Sequence, residues 1–301
     1  MSAVRIGLFL AAAATVLTVP VAAVVPPSSI TGSYCDQSRL RVIPTRASGA
    51  ATGSEFARRV VHLSGAERDA AIRNELLAGN IPDFLRHLVP VTLHGPGPGL
   101  SATVCVLPNY LAIGTDRDFV FVPMGLDAAL RVASNFGFEL PTPKIVDAVY
   151  DAAVIKLQPQ PLPAGDQMRS TDYFVHHNAL IAAQRSTLAA TLGLLTAGHK
   201  KDLVLSSRLW QIAGRVAIYG WHRAAHAPLQ PLSTVHGARY ADYSHGVRLV
   251  DDTVYLNGEP RDIATVLGEP SLSTLLSDDG PMTDLGGRVA SLMFQLEQPR
   301  G

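Results

Sequence analysis

Five of the ten histidines fall between His199 and His245, and this crowding is the strongest chemical signal in the chain. Imidazole titrates near neutrality, binds metals, and both donates and accepts hydrogen bonds, so its concentration among acids and hydroxyls points to proton transfer. Three pieces carry these residues. In Gly198-His199-Lys200-Lys201-Asp202, His199 and Asp202 stand at the start of an apolar strand where both can turn inward, and Lys200 can meet an anionic group. In Tyr219-Gly220-Trp221-His222, His222 ends a strand-like run beside Trp221, which is expected to face substrate as a platform. The third piece, from His236 to Leu249, sets two His-Gly pairs around Arg239, Tyr240, Asp242, Tyr243 and Ser244, with Arg248 close behind. Glycine after histidine lets a loop approach a ligand closely.

These residue types support more than one chemistry. Ser244 can act as nucleophile if His199, His222 or His236 takes its proton, with Asp242 or Asp202 as the orienting carboxylate; the adjacent His245 is not an assured partner. Alternatively His236, Asp242, His245 or His222 binds a divalent metal that generates hydroxide, and a remaining imidazole serves as base. The spacing matches no strict ligand pattern, so metal and cofactor stay unassigned. Paired His and Asp can also exchange protons without either device. His222 and His226 would share a helix face, as zinc ligands do, but Pro228 and the preceding strand pattern oppose a helix there. Lys200, Trp221, Arg239, Tyr240 and Arg248 are the expected substrate-binding residues, and His176, His177 and Asn178 could reach the site from a helix. The competing reading of the third piece is a hydrogen-bonded turn between two strands.

The run Ser244-His245-Gly246-Val247-Arg248-Leu249, with His236-Gly237 upstream, resembles the Ser-His-Gly-Cys-x-Arg-Leu signature of the L,D-transpeptidases, which cross-link peptidoglycan outside the cytoplasm. The resemblance covers about fifteen residues. Val247 follows Gly246 where the signature places its nucleophilic cysteine, and neither Cys35 nor Cys105 is near, so thiol chemistry is not carried over.

Composition narrows the partners. Of 301 residues, 47% are apolar and 17% charged, with 25 Lys+Arg balanced by 25 Asp+Glu. That balance leaves no basic footprint for a phosphate backbone, so nucleic acid is not expected as a partner. The N-terminus has Arg5, an uncharged apolar run from Ile6 to Val19, then Pro20 and Val21-Ala22-Ala23, the pattern of a secretory signal peptide cleaved near Ala23. Extending the run to Val25 would instead leave an anchor. No stable membrane span is expected once the signal is removed, and the location read from this pattern is secreted or periplasmic. In an oxidising compartment Cys35 and Cys105 should pair, and closing that loop contributes on the order of 4 kcal/mol.

The elements that must position the site follow from periodicity. Beyond a signal peptide (1–23) and an irregular Pro/Ser/Thr/Gly-rich arm (24–53), a helix and strand region occupies 54–157 and a region with the histidine-rich site occupies 158–301. Residues 54–79 show helical spacing, with Ser64 and Glu67 as a capping box. Short β-branched segments lie between Val89 and Val122, a helix from Leu126 to Phe136 ends at Gly137, and Thr142-Pro143 opens another that runs to about Leu157. A third helix is expected from Thr171 to Leu192, strands return after Gly198, and Asn257-Gly258 marks a tight hairpin. Strands and helices come in blocks, which predicts α+β architecture with a mainly antiparallel sheet flanked by helices. No nucleotide or redox-cofactor motif is present, so the expected function is an exported hydrolase acting on a cell-envelope polymer or peptide. The alternative is a noncatalytic secreted module that grips an anionic or carbohydrate ligand through Trp221, Tyr240, Tyr243 and Arg248.

Overall fold

The computed structural model describes residues 35, 42–95, 97, 99–188 and 191–297, so the expected signal segment and part of the following arm lie outside the described residues. The first helix, α1 (Gly53–Arg59), begins where Thr52 and Glu55 satisfy each other's backbone N–H groups in a capping box. The predicted box at Ser64 and Glu67 does not form: α2 (Gly65–Leu77) starts after Ser64, whose hydroxyl makes no capping bond. The helical stretch expected over 54–79 is therefore two helices.

Strands β1 (Val89–His94), β2 (Ser101–Val106), β3 (Ala112–Gly114) and β4 (Phe119–Phe121) follow, then α3 (Leu126–Phe136), which stops at Gly137 in the left-handed region. After β5 (Phe138–Glu139), Thr142 caps α4 (Pro143–Ala152) and Pro143 takes its first turn. The expected continuation of α4 to Leu157 fails because tertiary pairing wins over local propensity. The chain leaves the helix to form β6 (Ile155–Lys156), which pairs in parallel with β7 (Thr196–Ala197) beyond α5 (Thr171–Thr187).

The remaining elements are β8 (Lys201–Leu203), α6 (Arg208–Gln211), β9 (Ile218–Ala224), β10 (Ala227–Ser233), β11 (His245–Gly246), β12 (Val250–Leu256), β13 (Glu259–Asp262), α7 (Ile263–Gly268) and α8 (Leu285–Glu297). One sheet has the order β1-β2-β12-β13 with β5 also on β12; another has the order β10-β9-β8-β11. Most pairings are antiparallel, and with the helices they make a mixed α+β architecture. Because β2 pairs with β12, the two sequence regions share one sheet. Val104, Val106, Val250 and Val254 are buried where these strands meet. The hairpin between β12 and β13 turns on Asn257 (φ 49°) and Gly258 (φ 95°), the two positive φ values that a tight hairpin turn demands. Cys105 of β2 is disulfide-bonded to Cys35, with the two Cα atoms 5.5 Å apart. Among the described residues no helix is long and apolar enough to cross a membrane.

Candidate functional site

The second sheet brings the three histidine-bearing pieces side by side. Strand β11 pairs in parallel with β8, placing His245 opposite Lys201 and Gly246 opposite Asp202, while β9 runs antiparallel on the other edge of β8. In-register neighbours share a face, so the segment divides into one group around Lys201 and His245 and another around Asp202.

The Asp202 group is interior. Tyr110 donates its hydroxyl proton to Asp202 Oδ2 at 2.8 Å, and Arg248 Nε lies 3.9 Å from Oδ1. Arg248 lies over the Tyr110 ring at 4.6 Å and donates to the carbonyls of Leu107 (2.6 Å) and Thr196 (2.7 Å). Burial pushes the Asp202 carboxyl up to about 6, against the opposing pull of Arg248. Gly246 is required by this packing, since a Cβ there would sit 2.5 Å from the Tyr110 ring and 2.9 Å from Lys200 Cβ. The expectation that Arg248 meets substrate is corrected: its charge ties strand ends together from a position 1% exposed.

Lys200 is likewise corrected. Its ammonium, expected to meet an anion, is buried, donates to the Tyr243 carbonyl at 2.5 Å and lies 3.1 Å from His177 Nδ1. Burial pushes the Lys200 amine down to about 7 and, together with the Lys200 charge, holds His177 far below the ordinary imidazole range. His177 thus reaches the region from α5, whereas Asn178 brackets the β4 backbone, accepting from Phe121 N–H and donating to the Phe119 carbonyl. His199 packs against the rings of Tyr110 and Phe121 at 5.0 and 5.5 Å, and neither ring nitrogen has a hydrogen-bond partner. Burial, Lys200 and Arg248 keep it uncharged.

His222 finds a different carboxylate. Its Nε2 lies 2.8 Å from Asp147 Oδ1, and Asp147 also accepts the Tyr219 hydroxyl at 2.9 Å. The ring stacks on Tyr150 at 4.7 Å. Asp147 and Tyr150 stand three apart on α4, and sequence reasoning missed both as site residues; the available signal was their place beside the buried Val146 and Val149. Trp221 is corrected as a platform: it is buried, with backbone φ of 57°, and Lys201 Nζ lies over its ring at 4.9 Å. A left-handed backbone at a bulky residue is uncommon and strained.

The Lys201 and His245 group gathers about Asp242. Oδ1 of Asp242 accepts from the Ser244 N–H (2.8 Å) and hydroxyl (2.5 Å), and Oδ2 accepts from the Tyr240 hydroxyl at 3.0 Å, with His245 Nε2 3.9 Å away. His236 stacks almost parallel on Tyr240 with ring centres 4.0 Å apart, and its ring is 6.3 Å from that of His245. Burial would raise the Asp242 carboxyl, but His245, the Ser244 hydroxyl and Lys201 together hold it below its ordinary value. Burial pushes His245 down to about 4, with Asp242 opposing. Burial also lowers His236, again opposed by Asp242 and helped by Lys201 and Arg215.

Of the expected site residues, the structure therefore brings His236, Tyr240, Asp242, Ser244 and His245 together. His199, Asp202 and His222 sit in adjoining networks with other partners. The Ser244 hydroxyl donates to a carboxylate and not to an imidazole, so these residues do not form a Ser-His-Asp relay. Arg239 is exposed and donates to the Leu296 carbonyl at the end of α8. Among the described residues no group of three or more His, Cys, Asp or Glu side chains is placed to hold a metal ion. Comparison with known protein families, curated proteins and solved structures finds no match.

Proposed function

We propose that the protein is an exported hydrolase that cleaves an amide bond in a cell-envelope polymer or peptide, with His236 as general base. One observation carries this reading. Of His199, His222, His236 and His245, only His236 is not buried, and it stands in the field of the Asp242 carboxylate. A lowered imidazole is uncharged at neutral pH and free to accept a proton. In the proposed step a water oxygen bonds to the amide carbonyl carbon while His236 takes the water proton. Asp242 stabilises the imidazolium, and the Lys201 ammonium faces the negative charge growing on the carbonyl oxygen. The carbon–nitrogen bond then breaks and the His236 proton passes to the leaving amine. Asp242 is itself positioned by Ser244 and Tyr240. Export rests on the signal-peptide pattern at residues 1–23 and agrees with the Cys35–Cys105 bridge.

The noncatalytic reading loses most of its contact residues, since Trp221, Tyr243 and Arg248 are buried and only Tyr240 remains accessible. The test is activity profiling on envelope fragments with wild type, His236→Ala and Ser244→Ala, folding checked in parallel. Wild type should cleave, and His236→Ala should lose a factor on the order of 10² to 10⁴. Ser244→Ala, which removes one of the groups that position Asp242 and no group that takes the proton, should lose far less rate than His236→Ala. A folded wild type that cleaves nothing, or a variant order in which Ser244→Ala is the dead enzyme, overturns the proposal.

A further inference from the structure

Tyr240 is shared between two features. One face of its ring stacks on His236, and its side chain also lines a cleft of about 360 Å³ at the start of α2. Three arginines, Arg68, Arg169 and Arg239, contribute to that cleft. Arg68 is 3% exposed, and the neighbouring Asp69 carboxylate offsets part of its charge. Its Nη1 donates to the Arg169 carbonyl at 2.7 Å and the Thr171 hydroxyl at 3.3 Å, its guanidinium lies over the Phe174 ring at 4.2 Å, and its Nε has no hydrogen-bond partner. A buried guanidinium with an unpaired Nε is incompletely satisfied, and an anion entering the cleft would complete it. The same cleft is bordered by Ser64 and Gly65, the cap and first residue of the thirteen-residue α2, whose cap side chain makes no bond. The opening N–H groups of a helix point at whatever lies before them and favour negative charge.

Two carboxylates share the wall. Asp69 accepts from the Gly125 N–H at 3.0 Å, and Asp166, at the exposed rim, pairs with Arg169 at 3.2 Å. Three guanidinium groups against two carboxylates leave the cleft cationic before the helix end is considered.

We infer that this cleft is a binding site for an oxyanion group, a carboxylate of the peptide substrate, held by Arg68, Arg169, Arg239 and the start of α2 so that the adjoining bond lies over His236. The inference rests on the hydrolase reading for its link to catalysis, but not for binding itself. Arginine forks match carboxylate oxygens in pairs, and an anion seated beside Tyr240 would fix the distance between the substrate's charge and the bond to be cut.

The test is titration of the full mature chain with N-acetylalanine, with its uncharged amide and with inorganic phosphate, following the backbone amide resonances of Gly65, Ala66 and Glu67. Saturable shifts with N-acetylalanine and none with the amide are expected. Arg169→Gln combined with Arg239→Gln, both exposed positions that should not disturb folding, should weaken that binding tenfold or more; Arg68→Gln, being buried, is the second variant. Shifts with phosphate alone overturn the carboxylate assignment. No saturable shift with any probe, or binding unchanged in the double variant, overturns the site. Failure of the two readings is separable: N-acetylalanine bound without any cleavage leaves the site standing and removes the hydrolase. Cleavage with KM unchanged in the double variant does the reverse.

Discussion

Replacing Lys200 with methionine should change how stability depends on pH more than it changes stability itself. The Lys200 amine is buried and pushed down to about 7, from an ordinary value of 10.5 in the unfolded chain. A lysine lowered on folding binds fewer protons when folded, so stability rises with pH between the two values and the cost of burial is full below the folded one. At pH 6 that cost is about 5 kcal/mol and at pH 9 about 2 kcal/mol, because by then the folded amine is deprotonated and only the cost of giving up that proton at pH 9 remains. Wild type should therefore gain about 3 kcal/mol relative to Lys200→Met over this interval. The variant also leaves the Tyr243 carbonyl and His177 Nδ1 without their donor, an offset of about 1 to 3 kcal/mol for each that does not vary with pH. Urea unfolding of both proteins at pH 6, 7, 8 and 9 reads the difference, and contributions from Asp69, Asp202 and Glu139 cancel because both proteins contain them. A difference that stays constant from pH 6 to pH 9 would refute the reasoning and return Lys200 to the list of residues available to a ligand.

Ser244→Ala should lower the urea midpoint by an amount equivalent to about 1 to 3 kcal/mol, since it removes a buried donor from an ionised carboxylate; an unchanged midpoint would contradict the placement of that hydroxyl. Reducing the Cys35–Cys105 bridge, which spans a sequence separation of 70, should cost about 4 kcal/mol in calorimetric or denaturant measurements. Glu139, half-buried beside Asp252 and Asp262, has its carboxyl pushed up to about 7, so its contribution is present at low pH and lost as pH rises through that value. Glu139→Gln should accordingly be more stable than wild type above pH 7, with the advantage gone near pH 4; an equal gain at both would point to something other than ionisation.

Local signals were readable wherever the determinant was local. The α3 stop at Gly137, the Thr142-Pro143 opening of α4 and the Asn257-Gly258 hairpin all depend on backbone preferences of the residues that form them. Strand β10 was not legible because Pro228 and Pro231 weaken its strand pattern; it is tolerated as an edge strand with register shifts. The parallel contact of β8 with β11 depends on residues more than forty positions apart, and no short-range pattern announces it. The same limit governs the site. Asp242, Ser244 and Tyr240 are neighbours in sequence and meet in space, whereas His222 takes Asp147 across a separation of 75 residues. In His199-Lys200-Lys201-Asp202 the inward turn of His199 and Asp202 could be read from the apolar strand that follows, but the burial of Lys200 could not, because it comes from β8 lying between β9 and β11.

The most direct measurement is the pH dependence of kcat/KM for cleavage of an envelope peptide by wild type and His236→Gln. The account predicts a rising limb for wild type displaced below the ordinary imidazole value, set by an imidazole that burial and Lys201 hold down, and loss of that limb in the variant. An identical limb in both proteins, or no turnover by a correctly folded wild type, would contradict it.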